Sequence, residues 1–193
     1  MNKRNMTGCF GLAILLGLML QGWAGGVEAD SEREFSDQQG RDNWCYGCYR
    51  TPTGGFEKME YFGTSRSSTW CYSKSGDETD CWLSDRGGHS TLAEDGTLLW
   101  AARRWLSEVN GQISISGRIA KDSVMGGDGF FGRIFVDGRE VYSRFISSTD
   151  VRGVDYSVKV KVKKNSRVDF VIDFNKSADR DDAVFTASIV KAD

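Results

Sequence analysis

The chain has 193 residues, with 25 Lys+Arg against 27 Asp+Glu, one His and a formal net charge of −2. A mildly acidic balance with no basic block excludes association driven by nucleic-acid phosphates or by an anionic membrane surface. One histidine and no Gly-x-Ser-x-Gly elbow leave little for nucleophilic catalysis.

In chain order, residues 1–29 read as a secretory signal peptide. Lys3 and Arg4 precede an apolar run from Phe10 to Leu20. Small residues then occupy two cleavage frames, Gly22-Trp23-Ala24 and Val27-Glu28-Ala29. The apolar run is shorter than the roughly 20 residues of a membrane-spanning helix. Cys9 lies ahead of that run, so it is not placed as a lipid-attachment cysteine. Cleavage after Ala29 takes 29 residues from 193 and leaves 164, the size of one domain. It also removes Lys3, Arg4 and Glu28, which moves the net charge from −2 to −3. The mature chain is expected to be secreted or periplasmic, without membrane insertion. Asp30–Asn43 is polar and reads as a flexible lead, with Phe35 the first residue to touch a core. Residues 44–193 form a single domain.

Trp44 to Tyr49 is an aromatic stretch of high β-propensity. A turn at Thr51-Pro52-Thr53-Gly54-Gly55 leads to a second strand over Phe56–Phe62. Trp70-Cys71-Tyr72 and Cys81-Trp82-Leu83 flank a polar turn from Ser73 to Asp80. Arg86–Gly96 reads as a long loop carrying His89. Leu98–Trp105 reads as a strand, because the turn at Val109-Asn110-Gly111 feeds directly into Ile113 and Ile115.

The remainder is a run of strands: Gln112–Ile119, Phe130–Val136, Arg139–Phe145, Val154–Lys163, Arg167–Phe174 and Ala183–Val190. Val158, Val160 and Val162 alternate with Lys159, Lys161 and Lys163; Val168, Phe170, Ile172 and Phe174 alternate with Asp169 and Asp173. Period-two alternation gives each strand one apolar and one solvated face. Two such sheets cover each other, so the fold expected is all-β, an antiparallel β-sandwich of jelly-roll type. Asp137-Gly138 marks one hairpin within it.

Cys45, Cys48, Cys71 and Cys81 remain after export, and an even count in an oxidising compartment predicts two disulfides. An extended Trp44–Tyr49 sends Cys45 and Cys48 to opposite faces, which favours each pairing with Cys71 or Cys81. A Cys71–Cys81 clamp stays open. A zinc site is disfavoured by the Cys-x9-Cys spacing of the second pair.

Asp179, Asp181 and Asp182, with Asn175 upstream, are candidate oxygen ligands for calcium, and Asp122 and Asp128 form a second acidic loop. Trp44, Tyr46, Tyr49, Tyr61, Phe62, Trp70, Tyr72 and Trp82 crowd within forty residues. Sugars offer apolar C–H faces ringed by hydroxyls, so aromatic platforms beside fixed polar groups suit a glycan. Trp70, Tyr72 and Trp82, flanking a loop, are the candidate platforms, with Arg86 and His89 as polar partners.

The Trp-x-Tyr-Gly-x-Tyr strand at Trp44–Tyr49, His89, Ala101–Trp105, Gly111–Gly117, Gly127–Gly129 and Arg133–Val141 together resemble a module of large secreted bacterial proteins. Such modules are similar to carbohydrate-binding and galactose-binding-like jelly rolls and occur beside catalytic domains. The resemblance covers nearly the whole mature chain and implies a non-catalytic module that binds a glycan or cell-surface polysaccharide. The two cysteines of the first strand are an addition to that pattern. Two other functions stay open: an envelope protein–protein interaction subunit using the same aromatic patch, and a small polysaccharide-active hydrolase or lyase.

Overall fold

The computed structural model describes residues 26–52, 54–64, 66–75 and 80–192; the apolar run of the predicted signal peptide lies outside them. Strands β1 (Val27–Asp30), β2 (Trp44–Thr51), β3 (Gly54–Lys58), β4 (Tyr61–Phe62), β5 (Trp70–Cys71), β6 (Trp82–Leu83), β7 (Gly87–His89) and β8 (Thr91–Leu92) occupy the first half. The second half holds β9 (Leu98–Leu106), β10 (Gly111–Lys121), β11 (Phe130–Val136), β12 (Arg139–Ile146), β13 (Val154–Val162), β14 (Arg167–Phe174), β15 (Ala183–Phe185) and β16 (Ser188–Ala192). One sheet runs β1-β16-β10-β15-β7-β6-β5-β4, with β13 also on β10. The other runs β12-β11-β14-β9-β2-β3, with β8 on the end of β9. All pairings are antiparallel. No helix among the described residues is long and apolar enough to cross a membrane.

The alternating strands do what their periodicity dictates. Ile113 and Ile115 of β10 face Val160 and Val158 of β13, and this layer packs on Trp44, Tyr46, Trp105, Ile134, Val168, Phe170 and Ile172 of the other sheet. Burial of one such aliphatic or aromatic side chain contributes about 1.5–3 kcal/mol. Asp137 and Gly138 both take positive φ, 50° and 84°, as a tight hairpin turn requires. In β14 the carboxylates predicted to be solvated point outward but are buried: Asp169 accepts from Arg104 and from the Tyr49 hydroxyl, Asp173 from Arg133. Phe174 joins the aromatic cluster of that outer face, with Tyr49, Trp100 and Phe135, rather than the interior.

The polar lead is tied down. Ala29 is fully buried opposite Ile189, and Ser31 exchanges two hydrogen bonds with Ala187, each of 2.8 Å. Glu34 accepts from the Trp44 indole, and the Phe35 ring meets the Tyr46 ring edge-on. Arg103 anchors this segment from inside. Its guanidinium is 2% exposed and donates to the carbonyls of Ser31, Ser84 and Asp85. Burial among neutral acceptors pulls its pKa down.

The two-disulfide expectation needs correction, because all four cysteines are buried thiols in this structure. The reason is strand alternation. Cys48 and Cys81 share the interior cluster, whereas Cys45 and Cys71 belong to neither apolar cluster. Cys45 follows core-facing Trp44 and so emerges on the opposite face of its sheet, beside Arg104 in register. Cys71 pairs across with Trp82 in the other sheet and contacts Thr69. Cys45 therefore has a whole layer of sheet between it and either downstream cysteine.

Candidate functional site

Residues 86–96, expected as an open loop, instead supply two short strands. Gly87 and Gly88 make this possible. A Cβ on Gly87 would overlap the carbonyl of Ala183, and one on Gly88 the carbonyl of Trp82. Without side chains there, β7 slots between β6 and β15. That insertion puts His89 directly opposite Trp82, and next to Asp182 at the start of β15.

The rings of Trp82 and His89 are near-parallel, 13° apart with centroids at 6.5 Å. The guanidinium of Arg66, from the turn before β5, lies 4.7 Å from the Trp82 ring centroid. Asp182 Oδ1 is 2.9 Å from His89 Nδ1. That separation suits a hydrogen bond, but the ring N–H is out of line, so Nδ1 lacks a well-aligned acceptor. The contact nevertheless holds the Asp182 carboxyl below its ordinary value, His89 being the main cause, with Arg66 and Lys121 adding to it. Arg66, His89, Thr91, Met125, Asp179 and Asp182 are among the residues that line a cavity of about 730 Å³.

Four buried side-chain nitrogens lack a hydrogen-bond partner among the described residues: Arg66 Nε, Trp82 Nε1, His89 Nδ1 and Trp100 Nε1. Three of the four belong to this one stack. Buried polar atoms are nearly always satisfied, so three in one stack without an aligned partner are unusual for a packed interior.

Beneath the cavity lies a closed ion pair. Lys121 and Asp181 have side chains 0% and 2% exposed, with Nζ 3.0 Å from Oδ1. Lys121 Nζ also donates to the Arg180 carbonyl, and Asp181 accepts the backbone N–H groups of Asp128 and Gly129. Gly127 lets the chain pass against the Asp181 carboxylate, where a Cβ would collide. The structure sets the three aspartates of the calcium expectation against different partners. Asp181 is spent on Lys121, Asp182 faces His89, and the exposed Asp179 lies near Arg180. No trio of His, Cys, Asp or Glu that could hold a metal ion occurs among the described residues. The cation that balances the buried carboxylate is an ammonium group of the chain itself.

The remaining sequence candidates divide. Trp70 is a core residue, 5% exposed, stacked on Tyr46 at 5.8 Å and donating from Nε1 to the Ser36 carbonyl. Arg86 stands at the far end of β7 from His89, exposed and within 3.8 Å of Glu32. Tyr72 is half-buried, takes a 2.8 Å hydrogen bond from Arg50, and lines a neighbouring cavity. Trp82 and His89 alone meet in one place. Arg66 and Lys121 carried no signal in the sequence, since a single basic residue in a polar turn or at a strand end is unremarkable.

No family model matches the chain, and no curated protein does. Solved structures that align with it include the M60 catalytic domain with the CBM51-1 and CBM51-2 domains of Clostridium perfringens ZmpB, at 18% identity and a TM-score of 0.39. That alignment covers 64% of this chain and 12% of the other, so the chain spans about an eighth of that protein's length. A family 35 carbohydrate binding module from Clostridium thermocellum aligns over 65% of this chain and 89% of its own, at 8% identity and a TM-score of 0.35. CBM35 from Paenibacillus barcinonensis aligns over 85% and 98%, at 9% identity and a TM-score of 0.36. All three contain carbohydrate-binding modules.

Proposed function

We propose that the chain is an exported, non-catalytic module that binds a glycan in the cavity walled by Arg66, His89 and Asp182. The observation that carries this is the presence in that cavity's lining of Arg66 and His89, each with a buried nitrogen that lacks a well-aligned acceptor. They call for a ligand rich in acceptor oxygens. Thr91, Ser123 and the carboxylates of Asp179 and Asp182 complete a lining that both donates and accepts. Sugar hydroxyls match such a lining because each is donor and acceptor at once. The two arginines and two aspartates of the lining cancel, which suits an uncharged ligand. The volume falls within the roughly 300–1,000 Å³ of ligand sites, and Met125, 68% exposed at the rim, offers an apolar contact to sugar C–H groups. A role for Asp182 as general acid runs against its depressed pKa, because a glycosidase acid needs a raised one.

The test is calorimetric titration of the chain with neutral and amino-sugar oligosaccharides, alongside Arg66→Ala, His89→Ala and Arg86→Ala. A lost hydrogen bond to a charged group amounts to about 1.5–3 kcal/mol, so Arg66→Ala should weaken binding roughly 10–100-fold. His89→Ala should weaken it as well, and Arg86→Ala should not. Binding that survives both cavity substitutions would sink the assignment.

A further inference from the structure

A second cavity, of about 480 Å³, adjoins the first and is lined by Tyr72, Asp80, Leu92, Glu94 and Asp95 among others. Thr91 lines both. The short strand β8 is thus a sill between them, with His89 two residues ahead of Thr91 and Leu92 just after it. Taken together the two volumes exceed the roughly 1,000 Å³ upper end for a single compact ligand. Apolar exposure follows the same line. Of the six large hydrophobic residues exposed among those described, Leu92 (49%) lines the second cavity, Met125 (68%) lines the first, and Val124 (62%) is its chain neighbour.

Charge differs between the two ends. The first cavity is balanced, as above. The second presents Asp80, Glu94 and Asp95, with no basic residue in its lining among the described residues. Asp80 is occupied locally, accepting from the Ser73 and Cys81 backbone N–H groups. Glu94 and Asp95 are exposed. The nearest cation to Tyr72, Arg50, is already paired with Glu57 at 2.9 Å. A carboxylated or sulfated sugar unit placed there would meet like charge at close range.

We infer that the two cavities are one groove, and that it takes a linear glycan of several units, neutral or amine-bearing, rather than a lone terminal sugar or an acidic chain. This rests on the glycan assignment made for the first cavity. A chain that fills both ends gains affinity because its second unit binds at high effective concentration once the first is held.

The experiment is calorimetry with monomers and hexamers of glucose, mannose, xylose, glucosamine and N-acetylglucosamine, and with hexagalacturonate. For a backbone that binds, the hexamer should be at least about tenfold tighter than its monomer. Hexagalacturonate should not bind. Leu92→Arg, an exposed substitution that leaves the core alone, should shrink the advantage of the hexamer to about threefold or less by blocking the second cavity. Equal affinity for monomer and hexamer, or tight binding of hexagalacturonate, would overturn the groove while leaving the first site standing. Silence towards every sugar at both lengths would overturn the glycan assignment and the groove with it.

Discussion

Replacement of Lys121 by Met tests the floor of the site. The ammonium and the Asp181 carboxylate are 3.0 Å apart and closed to solvent. At an effective dielectric of about 20 that separation corresponds to an attraction of about 5 kcal/mol, and removing one member of a buried pair typically destabilises by about 3–5 kcal/mol. The two backbone N–H groups that Asp181 accepts, at 3.2 and 3.1 Å, stay in place and moderate the loss without replacing the cation. Lys121→Met should therefore lose about 3–5 kcal/mol, which lowers a urea midpoint by about 1.5–2.5 M for a slope near 2 kcal/mol/M. Tryptophan fluorescence reads the transition, given the buried Trp44, Trp70 and Trp105. In the double variant Lys121→Met/Asp181→Asn the neutral amide keeps one acceptor for the backbone and carries no charge, so the combined loss should be smaller than the sum by about 2 kcal/mol or more. Millimolar calcium should leave the wild-type midpoint where it is. A loss below about 1 kcal/mol, strict additivity in the double variant, or a calcium-dependent rise in wild-type stability would each refute the placement of Lys121 as the resident cation.

Three other outcomes are expected. Because the folded Asp182 carboxyl lies below its ordinary value, its stabilising effect is complete above the unfolded value of about 4 and is lost as pH falls through the folded one. The stability gap between wild type and Asp182→Asn should therefore close only on acidification below that range, in a series of denaturant melts; a gap unchanged under strong acid would contradict the His89 contact. On oxidation with oxidised glutathione, peptide mapping should find at most one bridge, Cys48 to Cys81, with Cys45 and Cys71 still open to alkylation; a bridge to Cys45 would break the strand register. Closing that loop of 34 residues would contribute about 4 kcal/mol by chain entropy. Export should remove the leader after Ala24 rather than after Ala29, since β1 and the buried Ala29 belong to the folded sheet; intact mass places the new terminus, and one at Asp30 would show β1 to be dispensable.

The elements most plainly written in the sequence are those whose side chains obey one local period. β10, β13 and β14 can be drawn from Ile113/Ile115, the Val-Lys alternation and Val168/Phe170/Ile172, because a strand with one wet and one dry face leaves that record residue by residue. The outer face of β14 was harder, since alternation tells which way Asp169 and Asp173 point but not that Arg104 and Arg133 fold over them. Aromatic crowding between 44 and 82 was legible as density only. Trp70 and Trp82 have the same flanking chemistry, cysteine on one side and a polar turn beyond. Their register opposite Leu83 and His89 respectively sends one ring into the core and sets the other against His89 and Arg66.

The sequence by itself thus settled an all-β chain of alternating strands, one hairpin at Asp137-Gly138 and the opposed faces of Cys45 and Cys48, all consequences of backbone geometry over a few residues. Only the tertiary structure brings the candidate site together. Arg66, Trp82, His89, Lys121 and Asp182 come from five separate segments with no periodic relation between them. They meet because two glycines let β7 lie against β15 closely enough to bring His89 to Asp182. Long-range contact of this kind is set by which strand edges can approach, and that is a property of the assembled sheet rather than of any stretch of chain.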